Sequence, residues 1–257
     1  DRGGKVGGFN AYVTSDVLIG AGLSSSAAFE TIIGTITSGL YNDMTISPVD
    51  IAIIGQFAEN VYFGKPCGLM DQTASSVGNL VHIDFADKKN PVIEGVSCDL
   101  GKYGYSLCIT DTKGSHADLT PDYAAVPAEM RAAAAVFGKE VLHGVTMEEL
   151  IEKSAEVRAA AGDRALLRAI HFVNENVRVQ QEVAALKAED FDGFLKVLKA
   201  SGDSSYKFLQ NVYTNHDVQH QNVSIALAIS ETVLGANGAC RVHGGGFAGT
   251  IQAFVKN

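Results

Sequence analysis

Apolar and polar positions alternate along the chain with strand and helix periods in a definite order. Residues 9–17, Phe9 to Val17, alternate loosely through Tyr12, Val13 and Thr14 and predict a strand. A short glycine- and serine-rich run then opens a predicted helix, in which Phe29, Ile32, Ile33, Ile36 and Leu40 share one face at i, i+3, i+4, i+7 and i+11. Ser47-Pro48 predicts a second helix start, with serine as cap and proline at the first helical position. Its apolar stripe is Ile51, Ile54, Ala58 and Val61, and Glu59 lies beside that stripe. After Val77 the pattern changes to short β-type runs at 79–85, 91–97 and 105–111, which sets a domain boundary near residue 78. Residues 122–234 read as mostly helical, most clearly at Phe191, Phe194, Leu195 and Leu198, with Gly202 as the expected stop. The chain closes on a predicted hairpin, 239–243 and 250–255, around the glycine-rich turn 244–249. The pattern is α+β.

Composition narrows the possibilities. With 257 residues, 46% of them hydrophobic, the chain can bury one large core or two modest ones. No window is apolar enough for a membrane helix and the first residues do not resemble a signal peptide, so a cytoplasmic protein with no membrane partner is expected. A net charge of −9 argues against a nucleic-acid partner and gives no long-range pull on anions, so a bound phosphate must be held by local groups. Cys67, Cys98, Cys108 and Cys240 form no CxxC pair and read as reduced thiols. His216 and His220 have metal-like spacing, but no third ligand accompanies them.

Three stretches carry candidate chemistry. In Gly20-Ala21-Gly22-Leu23-Ser24-Ser25-Ser26-Ala27-Ala28, glycines permit a tight turn and close approach to a ligand. The serines there can cap a helix whose first N–H groups attract anions. Phosphate is the natural guest, yet the lysine of a Walker loop is missing. Gly64-Lys65-Pro66-Cys67-Gly68-Leu69-Met70-Asp71-Gln72 is a turn-rich loop that ends in a carboxylate. A lone Asp there could equally be a helix cap. The third stretch is Gly244-Gly245-Gly246, and Tyr123 closes a further loop from Thr112, where a tyrosine with its ring inside and its hydroxyl outside is an ordinary boundary residue.

Together these segments resemble the GHMP small-molecule kinases (galacto-, homoserine, mevalonate and phosphomevalonate kinases), and the triple serine is most similar to the galactokinase branch. The glycine–serine loop corresponds to the family's second motif and the triple glycine to its third, while Leu18 stands where the family usually has proline. The resemblance implies a two-domain fold with the active site between domains, the first at 1–78 and the second at 79–257. It implies ATP and galactose as substrates, Mg²⁺ as cofactor, and phosphorylation of the anomeric hydroxyl. By the same match Asp71 is the catalytic base, and Gly20, Ala21, Gly22, Leu23, Ser24, Ser25 and Ser26 hold the ATP phosphates. Ser26 and Glu59 hold Mg²⁺, and Gly68, Asp71 and Tyr123 contact the sugar. His243 and Ala248 depart from the commonest galactokinase spelling of the third motif.

The branch also contains N-acetylgalactosamine kinases, and sugar sensors that bind without turnover and act through a protein partner. The intact Ser24-Ser25-Ser26-Ala27-Ala28 string favours an enzyme over a sensor. The family's first motif, an Arg-Glu-His-Asp signature, is absent from these residues, which implies an incomplete N-terminal domain. This chain alone is therefore expected to be inactive, and to self-associate through an open sheet edge at residues 9–17.

Overall fold

The computed structural model describes residues 3–17, 23–64, 67–87, 91–114 and 119–257. It divides into two compact units, Asp1–Cys98 and Asp99–Asn257, and its mixture of helices and antiparallel strands is the α+β architecture that the sequence predicts.

The first unit contains helices α1 (Ser25–Tyr41), α2 (Pro48–Phe57) and α3 (Met70–Val77), followed by the antiparallel pair β1 (Leu80–Asp84) and β2 (Val92–Val96). A π-helical turn, Ala58–Tyr62, extends α2. Ser47 caps α2 by accepting from the Asp50 N–H at 3.1 Å, with Pro48 next to it, as the sequence predicts. The buried positions of α1 are small: Ala27, Thr31 and Ser38. At Gly34 a Cβ would lie 2.7 Å from Ile51 Cγ2, so the missing side chain sets the close approach of α1 to α2.

Two sequence expectations fail in this unit. The large apolar face of α1 is not its buried face, for Phe29, Ile32 and Leu40 are 53%, 51% and 57% exposed. Residues 9–17 form no strand, because no described segment supplies the ladder that makes a strand, and Phe9, Tyr12 and Val13 are exposed. Among the described residues, 9–17 therefore present no strand edge. Instead the N-terminal segment is fastened to the end of α1: Lys5 and Asn42 exchange hydrogen bonds of 2.7 and 2.9 Å, and the Tyr41 hydroxyl donates to the Gly8 carbonyl at 2.5 Å. The first compact unit runs on to Cys98, since β1 starts directly behind α3 and packs on it.

The second unit opens with a 3₁₀ turn, Leu100–Tyr103, and strand β3 (Tyr105–Asp111). Helices α4 (Thr120–Ala135), α5 (Met147–Glu152), α6 (Ser154–Ala161), α7 (Asp163–Lys187), α8 (Phe191–Ser204) and α9 (Asn222–Leu234) follow, and β4 (Gly238–Val242) and β5 (Thr250–Lys256) end the chain. The sheet order is β3-β5-β4, all antiparallel, with Val242 opposite Ile251 in the predicted hairpin. Val223, Leu227 and Leu234 of α9 cover Val242, Ile251 and Ala253 of this sheet. The apolar stripe of α8 is buried as its period predicts, and Phe191 stacks on Tyr103 at 4.6 Å between centroids.

Gly202 does not end α8, which continues to Ser204 and into a π-helical turn, Ser205–Leu209. A Cβ at Gly202 would lie 2.8 Å from Arg241 Cβ, so this glycine serves the contact of helix with strand β4. Arg168, 1% exposed, donates to Glu129 at 2.9 Å and to the Leu209 carbonyl at 3.0 Å. Glu129 also accepts from Arg164, so the buried charge is paired and the chain just before Asn211 is held in place.

Candidate active site

The first unit gathers Ser26 of the glycine–serine loop, Glu59 and the start of α3. Gly20, Ala21 and Gly22 lie outside the described residues. Leu23 and Ser24 lead into α1, and Ser25 and Ser26 form its first turn. The expected serine cap is not made: Ser24 is left-handed, with φ 53° and ψ 44°, and no side chain caps the helix. A left-handed non-glycine residue costs about 1–2 kcal/mol. The uncapped first-turn N–H groups retain the partial positive charge that attracts anions.

Ser26 Oγ donates to Glu59 Oε1 at 3.1 Å. Glu59 is buried, within the inward stripe of the second helix and not beside it. Ile54 and Val61 of the expected stripe are exposed, and the buried positions Ile51, Gly55 and Glu59 follow the helical i, i+4, i+8 spacing, so the buried face is turned away from the large apolar residues. Gln72, fully buried, donates to Glu59 Oε2 at 2.9 Å and to Glu30 Oε2 at 3.1 Å. Its chain neighbour Asp71 sits exposed in the first turn of α3. The loop before α3 is fixed by Asn60, which accepts from the Cys67 N–H at 2.7 Å, and by Gln56, which donates to the Cys67 carbonyl at 3.2 Å. Burial raises the Cys67 thiol pKa above its ordinary value, and the Glu59 carboxylate beside it acts in the same direction. Gly68 is exposed, with open space where a Cβ would be.

Among the described residues no cluster of three or more His, Cys, Asp or Glu side chains could hold a metal, and His220 instead pairs with Asp217 at 2.7 Å. Ser26 and Glu59 nevertheless fit Mg²⁺, which is typically bound by one or two protein oxygens and otherwise by waters and substrate phosphates. Two hard oxygens within hydrogen-bond distance, beside uncapped helix N–H groups, match that mode.

In the second unit Tyr123 and the triple glycine come together. Tyr123, in the first turn of α4, donates its hydroxyl to the Gly246 carbonyl at 2.7 Å and sets its ring edge-on to Phe247 at 5.2 Å. Burial, and then the Asp122 carboxylate, raise its pKa. Asp122 is itself buried and accepts from Thr214 Oγ1 at 3.2 Å. Gly246 has φ +81°, and a Cβ there would overlap the Asn211 carbonyl. That carbonyl accepts the Phe247 N–H at 2.5 Å, while the Asn211 amide donates to the Gly245 carbonyl at 3.2 Å. Asn211, Gln72 and Glu30 carry these arrangements and were not singled out in the sequence. Glu30 was within reach, lying four residues after Ser26 on the same helix.

Residues 1–79 match the family model for the GHMP kinases N terminal domain. The galactokinase of Actinobacillus pleuropneumoniae is 34% identical over 250 residues, 97% of this chain and 62% of that protein. The galactokinase of Haemophilus influenzae strain Rd is 32% identical over 256 residues, again 97% of this chain and 62% of that protein. The chain thus spans 62% of the length of these curated relatives. In fold it is similar to Lactococcus lactis galactokinase complexed with galactose, with TM-score 0.70 and 22% identity over 93% of this chain and 59% of that one. It is also similar to L. major mevalonate kinase in complex with R-mevalonate, with TM-score 0.54 and 14% identity over 91% and 57%. The serine loop and the following Asp-Gln helix, linked through one buried glutamate, lie within the segment that matches the GHMP kinases N terminal domain, in a chain similar to galactokinases over 97% of its length.

Proposed function

We propose that this protein is a sugar kinase that transfers the γ-phosphoryl group of ATP to the anomeric hydroxyl of galactose, as the 34% identity to galactokinases suggests. The observation that carries this reading is the link from Ser26 through Glu59 to Gln72, which ties the end of the phosphate loop to the neighbour of Asp71. Each part has a role in phosphoryl transfer, where positioning and charge stabilisation dominate. Asp71 accepts the proton of the sugar hydroxyl, a task suited to an exposed carboxylate that can approach the nucleophile. The segment Gly20 to Ser25 and the first N–H groups of α1 cradle the phosphates. Ser26 and Glu59 hold Mg²⁺, which supplies charge neutralisation at the phosphate oxygens when bound.

Gly68 and Tyr123 are assigned to the sugar, and residues 1–78 and 79–257 to the two family domains. The Tyr123 hydroxyl proton is committed to Gly246, so its part toward the sugar is that of its ring. No helix among the described residues is long and apolar enough to cross a membrane, and the reading takes the enzyme to be cytoplasmic.

The test is Asp71→Asn in the complete protein, assayed by ADP release with galactose, N-acetylgalactosamine and other hexoses. Wild type is expected to turn over galactose in preference to the others. The variant is expected to lose about a hundredfold or more in kcat, while ATP and galactose still bind. Unaltered turnover in the variant would remove Asp71 from its role, and a preference for another sugar would move the substrate within the branch.

A further inference from the structure

Gln72 is fully buried, and its amide nitrogen lies 2.9 Å from Glu59 Oε2, 3.1 Å from Glu30 Oε2 and 3.5 Å from Cys67 Sγ. The orientation of the amide is forced: turning its oxygen toward two carboxylates would set three acceptors against each other. Its own Oε1 is buried and has no hydrogen-bond partner among the described residues. A buried polar atom left unsatisfied is a cost, so the side chain is held where it is by what its nitrogen does. The space for it is also specific. Gly55 of α2 faces this point, and a Cβ there would lie 3.2 Å from Glu30 Oε2 and 3.4 Å from Gln72 Cγ. Three helices therefore converge on one donor between two acids.

We propose that Gln72 is a positioning residue: its amide, shared between Glu30 and Glu59, holds the Glu59 carboxylate with one oxygen turned to Ser26, so that both oxygens of the metal pair are set before the ion arrives. The inference rests on the proposed kinase reading, in which Ser26 and Glu59 bind Mg²⁺. Gln72 touches neither ion nor substrate. Its effect passes through Glu59, as outer partners of metal ligands typically act, where their loss costs 10–100-fold in affinity.

The test uses Mn²⁺ as a paramagnetic probe, titrated into the complete protein in the presence of ADP and followed by electron paramagnetic resonance. Gln72→Met preserves much of the volume and removes the donor. It is expected to weaken Mn²⁺ binding about tenfold, with metal-free ADP binding and the galactose KM unchanged. Gln72→Asn keeps the amide but draws it back by one methylene, and is also expected to bind Mn²⁺ more weakly than wild type.

Retained Mn²⁺ affinity in Gln72→Met, or in folded Gln72→Asn, would overturn the proposal. Ser26→Ala and Glu59→Gln separate the two levels. If they weaken Mn²⁺ binding while Gln72→Met does not, the positioning role alone is wrong. If neither weakens it, the metal site is wrong.

Discussion

The Tyr123 hydroxyl donates to the Gly246 carbonyl at 2.7 Å, joining the first turn of a helix to a glycine turn 123 residues further along the chain. The bond fixes the turn from one side, while Asn211 fixes it from the other through the Phe247 N–H and the Gly245 carbonyl. The triple glycine and Tyr123 are thus one structural feature.

Removing that bond has a bounded cost. Tyr123→Phe keeps the ring on Phe247 and leaves one carbonyl without its donor, so it is expected to lower stability by about 1 kcal/mol. On the proposed role of Tyr123 at the sugar, the galactose KM should rise more than kcat falls. Urea unfolding and steady-state kinetics on the same preparations check both.

The three glycines are not equivalent. Gly246→Ala meets both a φ of +81° and the Asn211 carbonyl, and is expected to cost well over about 1 kcal/mol. Gly244 has φ +66° with nothing within 4 Å of a Cβ, so Gly244→Ala carries the conformational cost alone, about 1 kcal/mol. Thermal midpoints of the two variants should separate clearly, and equal midpoints would mean that the turn relaxes away from Asn211.

Ser26 and Glu59 should behave as a pair. Ser26→Ala and Glu59→Gln are each expected to raise the Mg²⁺ concentration for half-maximal turnover, Glu59→Gln more because it removes a charge. Their double variant should cost less than the two single effects combined, since both changes act on the same 3.1 Å contact. An unchanged Mg²⁺ requirement in both single variants would exclude them as ligands.

The elements that sequence periodicity found and the faces it misassigned have separable causes. The starts of α1 and α2 were legible because glycine, serine and proline act locally on the backbone. The buried side of α1 was not, because it is set by small residues, Ala27, Thr31, Gly34 and Ser38, that permit close approach, while Phe29, Ile32 and Leu40 stay exposed. Hydrophobicity marks what can be buried, and close packing selects what is. The strand expected at 9–17 needed a partner that no local pattern can supply. Asp71, Ser26 and Glu59 were named as candidates through a family resemblance. Gln72 was not, since its importance lies in contacts spanning 13 and 42 residues that only the packed helices create.

The last prediction concerns pH and the buried charges between α7, α8 and β4. Burial pushes the Glu182 carboxyl up to about 7, against the attraction of Arg241 and Arg178 and with the repulsion of Glu175. Burial pushes His171 down to about 4, with Glu175 opposing that shift and Arg178 and Arg241 adding to it. For Glu182 the folded pKa exceeds the unfolded one, so its contribution is fully present below about pH 4.5 and is lost as pH rises through about 7. For His171 the folded pKa lies below the unfolded value of 6.5, so stability rises with pH between about 4 and 6.5. The two slopes oppose each other over most of this window, and wild type is expected to be nearly flat there. Glu182→Gln keeps a neutral side chain at every pH, and should be more stable than wild type at pH 8 by about 1–3 kcal/mol, with the gain vanishing near pH 5. Urea unfolding of both proteins at pH 5, 6.5 and 8 reads this directly. A pH-independent difference would show that Glu182 ionises in the folded protein as it does in the unfolded chain.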